Sequence, residues 1–357
     1  MSAADPLFLK ACVDLAARGR TTCAPNPPVG CVIVKRGAII GRGYHIEAGT
    51  GHAEVNAIAD AGGDIKGATV YVSLEPCAFE GRTPACAETL IKHQVKRVVI
   101  AAMDPHPQVD GAGADMLRQA GIEVDIHPLP EAEAMVEGFT SRILLKRPFV
   151  RIKTASSLDG AVALANGESQ WITGTAARLD VHQYRARSDA IITGVGTVSS
   201  DDPSLNVRDA AGRIRQDVRQ PLRVVLDHQA RSPVGAKLFT DGASTVVVHE
   251  TGTAPAGCES RQADPQDLLA LLEWLAAEKD CNEVLVEAGP RLVGSFVAAG
   301  LWDEWVAYVA PKVLGSSSQN VLNLHLESLT QAPAFNIVDR TQIGSDLRLL
   351  LRPLKDQ

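Results

Sequence analysis

The sequence predicts an α/β protein of two domains, and three observations carry that reading. Strand-like and helix-like hydrophobic periods alternate along the chain, the alternation is interrupted at Arg147-Pro148, and 357 residues suffice for two domains that each bury a core. No internal repeat or long low-complexity segment disturbs the pattern.

In the first block, 6–18 reads as an amphipathic helix and 29–43 as a hairpin turning at Arg36-Gly37. A helix near 53–61, a strand at 68–74, a helix near 84–93 and a strand at 96–102 follow. A helix at 112–120, a strand at 122–127 and a helix at 131–145 complete a three-layer α/β pattern. The second block opens with a strand at 149–155. It continues with a helix at 175–187, strands at 188–193, 222–227 and 244–248, and a helix at 266–279. A strand at 283–287, a helix at 290–299 and strands near 305–310 and 345–351 close it. The domains are therefore expected at 1–147 and 148–357.

Composition excludes several classes. With 45% hydrophobic and 22% charged residues the balance is that of a globular protein, and no run approaches the roughly 18 apolar residues of a membrane span. The opening segment carries acidic residues and lacks the apolar core of a signal peptide. A formal charge of −7 argues against nucleic acid as a partner, since that needs a concentrated basic surface. The seven cysteines are odd in number and scattered, which argues against a disulfide framework and for a reducing, cytoplasmic setting.

A metal site is legible in the first block. His52-Ala53-Glu54 stands just before an apolar helical pattern, Cys77 ends a strand within Leu74-Glu75-Pro76-Cys77, and Cys86 lies nine positions on. One imidazole and two thiolates are three zinc ligands, which leaves a fourth position for water as catalytic zinc requires. Thr83 can cap a helix beginning at Pro84, placing Cys86 in its first turn, where the helix terminus favours a thiolate. Glu54 is spaced to reach the water without binding the metal, as a proton shuttle for hydrolytic deamination.

In the second block the residues alone support only a nucleotide-binding α/β domain. Val286-Glu287-Ala288-Gly289-Pro290 reads as a strand end, a glycine turn and a helix start whose N–H groups can hold a phosphate. Gly194-Val195-Gly196 does not complete a dinucleotide fingerprint.

Longer stretches resemble one family. Pro25-Asn26-Pro27-Pro28-Val29-Gly30, Gly43-Tyr44-His45, His52-Ala53-Glu54-Val55 and LEPCAFEGRTPAC (74–86) are similar to the bifunctional riboflavin-biosynthesis deaminase–reductase. So are KTASSLDGAVA (153–163), GESQWITG (167–174), GVGTVSSDDPSL (194–205), VEAGP (286–290) and APKVLG (310–315). The resemblance implies a cytidine-deaminase-like three-layer domain followed by a dihydrofolate-reductase-like domain, with zinc and NADPH as cofactors. It implies deamination of a phosphoribosylated diaminopyrimidinone, then reduction of its ribosyl group to ribityl, and a homodimer formed through the reductase domain.

Residue by residue, the resemblance makes His52, Cys77 and Cys86 the metal ligands, Glu54 the catalytic acid–base, and Asn26, His45 and Arg82 substrate contacts. In the reductase it makes Lys153, Ser169, Arg185, Leu205, Arg208 and Glu287 substrate contacts. Ala155, Trp171, Thr197, Asp201 and the run Gly289, Pro290, Arg291, Leu292, Val293, Gly294, Ser295 would meet NADPH. There is one departure. The family usually has Ser or Ala and then His after the first cysteine, where this chain has Ala78-Phe79-Glu80. That leaves two alternatives open: a reductase with an impaired deaminase, or another zinc nucleobase deaminase fused to an unrelated domain.

Overall fold

The computed structural model describes residues 4–79 and 84–354 and divides into two compact units, Met1–Arg147 and Pro148–Gln357. In the first, α1 (Asp5–Gly19) leads into the hairpin β1 (Gly30–Lys35) and β2 (Ala38–Tyr44). Arg36 (φ 54°) and Gly37 (φ 80°) both take the left-handed conformation that a tight two-residue turn between twisted strands demands. α2 (Ala53–Asp60), β3 (Thr69–Val72), α3 (Cys86–Lys92), β4 (Arg97–Ile100), α4 (Ala112–Gln119) and β5 (Glu123–Ile126) follow.

The sheet order is β2-β1-β3-β4-β5, antiparallel at β2-β1-β3 and parallel from β3 to β5. One face buries Ala57, Leu90 and Leu117 from α2, α3 and α4 against Ile33, Val70 and Val98. The other buries Leu9 and Val13 of α1 against Val32, Tyr71 and Val99. The helix expected over 131–145 is broken into α5 (Pro130–Met135), α6 (Glu137–Thr140) and a π turn at Ser141–Leu145. Val136 leaves helical dihedrals (φ −107°, ψ 9°) and buries its side chain in the α1 layer.

The second unit holds β6 (Phe149–Ser157), β7 (Ala161–Ala163), α7 (Thr175–Arg187), β8 (Ala190–Gly194), α8 (Val195–Asp201) and β9 (Leu222–Leu226). α9 (Lys237–Thr240), β10 (Thr245–His249), β11 (Glu259–Gln262), α10 (Leu268–Glu278), β12 (Glu283–Val286) and α11 (Pro290–Ala298) come next. β13 (Glu304–Ala310), β14 (Gln319–Asn320), β15 (Phe335–Ile343) and β16 (Asp346–Pro353) complete it. Its nine-stranded sheet runs β11-β10-β9-β8-β12-β6-β13-β16-β15, parallel as far as β13 and antiparallel beyond. α10 and α11 cover one face and α7, α8 and α9 the other. The sequence pattern gave no sign of β15, because this edge strand turns Ile337 and Val338 outward among polar neighbours. Among the described residues no helix is long and apolar enough to cross a membrane.

On three adjacent strands of this sheet, Arg151 of β6 is 2% exposed and donates to Glu304 of β13 at 2.6 Å and Glu283 of β12 at 2.9 Å. Burial works against the charge of Glu304, but Arg151, Arg187 and Arg352 hold its carboxyl down at about 2. Removing one member of such a cluster strands the others in a dry interior. Arg151→Ala is expected to cost about 3–5 kcal/mol of stability. The midpoint of urea denaturation reads this, and an unchanged midpoint would contradict it.

Candidate functional site

The first site is assembled at the end of β3. His52 is the N-cap residue of α2, extended at φ −69° and ψ 169°, which places Glu54 in the first turn behind it. Gly43 lets β2 lie against this turn, since a Cβ there would stand 2.3 Å from the Ala53 carbonyl oxygen. Cys77 lies in the loop after β3, and that loop is seated on α4. Gly113 approaches so closely that a Cβ would fall 2.0 Å from the Pro76 carbonyl oxygen. Glu75 accepts the N–H groups of Gly111 and Ala114, both at 3.0 Å, and so caps the same helix.

The N-cap of α3 is Ala85 and the helix begins at Cys86, two residues later than the sequence pattern implied. Alanine has no side-chain acceptor, and the Cys86 N–H is taken instead by the Cys77 sulfur at 3.2 Å. Thr83, expected as the cap, lies outside the described residues, as do Glu80 and Arg82. Phe79 is exposed, its ring 5.6 Å from that of His106.

His52 Nδ1 lies 3.2 Å from Cys86 Sγ and 3.7 Å from Cys77 Sγ. A tetrahedral zinc ion, bound at about 2.3 Å to sulfur and about 2.0 Å to nitrogen, sets these atoms about 3.5 Å apart. The donor set therefore fits zinc. The donors also share protons among themselves. The bond from the Cys86 thiol draws Cys77 down to about 4, and the same bond, with burial, pushes Cys86 up. Glu54 is 3% exposed beside them, and burial together with the Cys77 charge raises its carboxyl.

Asn26 and His45 meet here too. Gly51 O can only accept, so His45 Nδ1 donates to it at 3.2 Å and Nε2 accepts from Asn26 Nδ2 at 3.0 Å. Burial lowers the pKa of His45, keeping it in this neutral form. With its amide nitrogen spent on His45, Asn26 keeps Oδ1 for another donor.

The second site is a cleft of about 1800 Å³ in the other unit. The substrate candidates Lys153, Ser169, Arg185, Leu205, Arg208 and Glu287 line it together. Ala155, Trp171, Thr197, Asp201, Gly289, Pro290, Arg291, Leu292 and Ser295 line it as well. Val293 and Gly294 do not. Val293 is fully buried in the core, and Gly294 faces the Asn323 backbone, where a Cβ would stand 2.1 Å from its carbonyl oxygen. The helical repeat turns these two away from the cleft while Ser295 returns to it.

Arg185, read from sequence as a substrate contact, is committed to Glu287 by two bonds of 2.6 and 2.9 Å. Burial opposes the Glu287 charge, but Arg185 and Lys153 hold its carboxyl down at about 2. Arg208 meets the neutral acceptors Asn206 Oδ1 and Ser204 Oγ, so its charge is not cancelled by an adjacent carboxylate. The sequence reading passed over His182, which lines the cleft three residues before Arg185 and accepts the Arg208 backbone N–H at 3.0 Å. Burial and the two arginines lower its pKa to about 4. Its i, i+3 spacing from Arg185 was the signal available in the sequence.

Comparison with known proteins decides the family. Residues 148–349 match the RibD C-terminal domain, and residues 2–102 the cytidine and deoxycytidylate deaminase zinc-binding region. The chain is 43% identical to the riboflavin biosynthesis protein RibD of Haemophilus influenzae, covering 99% of this chain and 98% of that one. The chain belongs to the RibD family. It is likewise 43% identical to the Escherichia coli RibD over 97% of its own length and 99% of the other's. The structure of Acinetobacter baumannii RibD superposes with a TM-score of 0.92 at 43% identity, covering 98% of this chain and 99% of that one. A Thermotoga maritima diaminohydroxyphosphoribosylaminopyrimidine deaminase/5-amino-6-(5-phosphoribosylamino)uracil reductase gives 0.90 at 35% identity, with 98% and 99% covered.

The chain is thus a bifunctional enzyme of riboflavin biosynthesis, a zinc-dependent deaminase joined to an NADPH-dependent reductase. Its folds are the cytidine-deaminase-like and dihydrofolate-reductase-like ones, and the rival readings of an unrelated C-terminal domain or a reductase alone are not favoured.

The Arg185–Glu287 pair sets a pH dependence. An ordinary glutamate titrates near 4.3, so a carboxyl held lower contributes stability above that pH and loses it as pH falls toward 2. Wild type and Glu287→Gln are expected to differ in urea midpoint at pH 7 and to converge as the pH falls below about 4. A difference independent of pH would contradict the assignment.

Proposed function

We propose that residues 1–147 carry the deaminase and residues 148–357 the reductase, acting in turn on one phosphoribosylated pyrimidine in the cytoplasm. The substrate we infer is 2,5-diamino-6-(5-phosphoribosylamino)pyrimidin-4(3H)-one. The observation that carries the deaminase half is the cluster of His52, Cys77 and Cys86 with Glu54 buried beside it. Seven free cysteines suit a reducing compartment.

His52 and the two cysteines would hold zinc, which when bound makes a water molecule acidic enough to act as a nucleophile near pH 7. Glu54 takes the proton from that water and delivers it to the departing amino nitrogen, so that water is consumed and ammonia leaves. Its raised pKa suits a group that must both accept and donate. Asn26 Oδ1 accepts from a ring N–H of the base, and the neutral His45 holds Asn26 in that orientation. Arg82 is assigned to the substrate phosphate from its place in the Gly-Arg-Thr-Pro segment.

In the reductase, NADPH when bound would supply a hydride to C1′ of the ring-opened ribosylamine, an imine, which with one proton on nitrogen becomes the CH2–NH of a ribitylamine. Ala155, Trp171, Thr197, Asp201, Gly289 to Leu292 and Ser295 are its contacts in the cleft. Lys153, Ser169, Leu205, Arg208 and Glu287 hold the substrate. Arg185 acts chiefly by fixing the Glu287 carboxylate, and Arg208 is the cation left to meet the phosphate. The assembly we infer is a homodimer formed through the reductase domain, for which the outward Ile337 and Val338 of edge strand β15 offer an apolar surface.

Mass spectrometry of the product tests both halves. Zinc-loaded protein is expected to yield the deaminated pyrimidine without NADPH and the deaminated, reduced one with it. Glu54→Gln is expected to lose at least about 100-fold in ammonia release while keeping its zinc and its reduction of the pre-deaminated pyrimidine. Retained deamination in that variant would remove Glu54 from its role. Light scattering is expected to give twice the chain mass for the wild type, and a single-chain mass would overturn the dimer.

A further inference from the structure

Arg178, Arg231 and Lys237 line the reductase cleft without a role in the reading above; Arg178 bonds Thr173 and lies over the Trp171 ring, and Lys237 pairs with Asp202. Arg231 is exposed, lines the cleft, and has no acidic or hydrogen-bonding partner among the described residues. We infer that Arg231 makes the enzyme select NADPH over NADH by binding the phosphate on the adenosine ribose. This rests on the proposed reading of the cleft as the cofactor site and names a specificity determinant within it.

Strand order supports the placement. The cleft runs along the carboxyl ends of neighbouring parallel strands: β12 leads to Glu287 and Gly289, β8 to Thr197, and β9 to the loop carrying Arg231. The substrate candidates Lys153 and Glu287 belong to β6 and the end of β12, while β9 lies two strands beyond β12 in the sheet order. An extended dinucleotide with its reacting end near Glu287 and its diphosphate at the Gly289 turn therefore carries its adenosine toward β9. Pro265, Gln266 and Leu268 line the cleft as well and can flank an adenine ring.

The loop is shaped to present a cation and withhold an anion. A carboxylate at such a strand end, turned toward the ribose, favours a free 2′-hydroxyl and repels a 2′-phosphate. Asp227 occupies that strand end, but it is fully buried, and its Oδ2 accepts the Ser232 N–H at 2.6 Å and the Ser232 hydroxyl at 2.7 Å. Ala230 adopts a left-handed φ of 50°, and its N–H closes the turn on the Asp227 carbonyl at 3.0 Å. The chain is thereby pinned on both sides of Arg231 while its side chain stays exposed. The other charged groups at this end are His228, Glu250, Asp264 and Lys237, the last paired with Asp202 at 3.3 Å. His228 Nδ1 is engaged by Glu250 at 3.2 Å, and Asp264 clusters with the same pair. Arg231 is thus the cation here whose charge is not already answered, and a guanidinium can meet two phosphate oxygens at once.

The test uses the full-length, zinc-loaded chain with 5-amino-6-(5-phosphoribosylamino)uracil as acceptor. KM for NADPH and for NADH is measured in wild type, Arg231→Ala and Arg231→Lys, with 2′,5′-ADP and 5′-AMP as competitive probes. In Arg231→Ala, KM for NADPH is expected to rise at least tenfold and inhibition by 2′,5′-ADP to weaken in step. KM for NADH, inhibition by 5′-AMP and kcat should stay within about twofold, and lysine should recover part of the loss. An unchanged NADPH-to-NADH ratio in Arg231→Ala would overturn the inference, and so would an equal loss with both cofactors. A wild-type protein that oxidises neither cofactor would instead overturn the reductase reading on which the inference stands.

Discussion

Strands joined by a parallel hydrogen-bond ladder share one direction, so their carboxyl ends meet along one edge and the chain must leave the sheet there. Both candidate sites grow from that constraint. In the first unit the parallel strands β3 and β4 end side by side, and the exit from β3 carries Glu75 and Cys77. In the second, the exits from β12, β8 and β9 carry Glu287, Thr197 and Arg231 to one cleft. The cores on both faces of each sheet hold these exits in register, so a side chain at a strand exit meets one on a covering helix more than a hundred residues away, as Glu287 meets Arg185 of α7.

The two sites then handle buried charge in opposite ways. Glu54 and Glu287 are both nearly inaccessible glutamates, yet the first is pushed toward the neutral acid and the second toward the anion. Burial acts on both alike; the difference is the neighbour, thiols in one case and a guanidinium in the other. The raised Glu54 carboxyl is the better placed to hold a proton, whereas Glu287 stays a fixed acceptor. Proton-transfer chemistry in one half and hydride-transfer chemistry in the other require that contrast.

Much of this was legible in the sequence where a residue type has few alternative uses. A histidine and two cysteines at strand and helix ends announce a metal site, and Glu54 at its spacing announces a proton carrier; the structure brings all four together. Helix 175–187 was readable to the residue because a glycine turn and a polar stop bound it. What escaped depends on partners distant in sequence. The role of His182 follows from a backbone N–H of Arg208, on a different segment. The commitment of Arg185 follows from a carboxylate after β12. Val293 and Gly294 were grouped with the cofactor turn because sequence adjacency does not show which side of α11 a residue occupies. The cap of α3 was misplaced because the acceptor is a sulfur nine positions upstream rather than a hydroxyl beside it.

The capping of α4 by Glu75 ties together two things that look separate. Glu75 stands two residues before Cys77, and its carboxylate closes the first turn of a helix that supplies no ligand. Fraying of that turn releases Glu75, and with it the segment that fixes Cys77, so helix and loop open as one cooperative unit. Metal affinity therefore includes the free energy of keeping α4 folded, and by linkage a bound ion returns the same free energy as protection of the helix. A substitution on the outer face of α4, remote from every donor atom, would act on the metal through this unit.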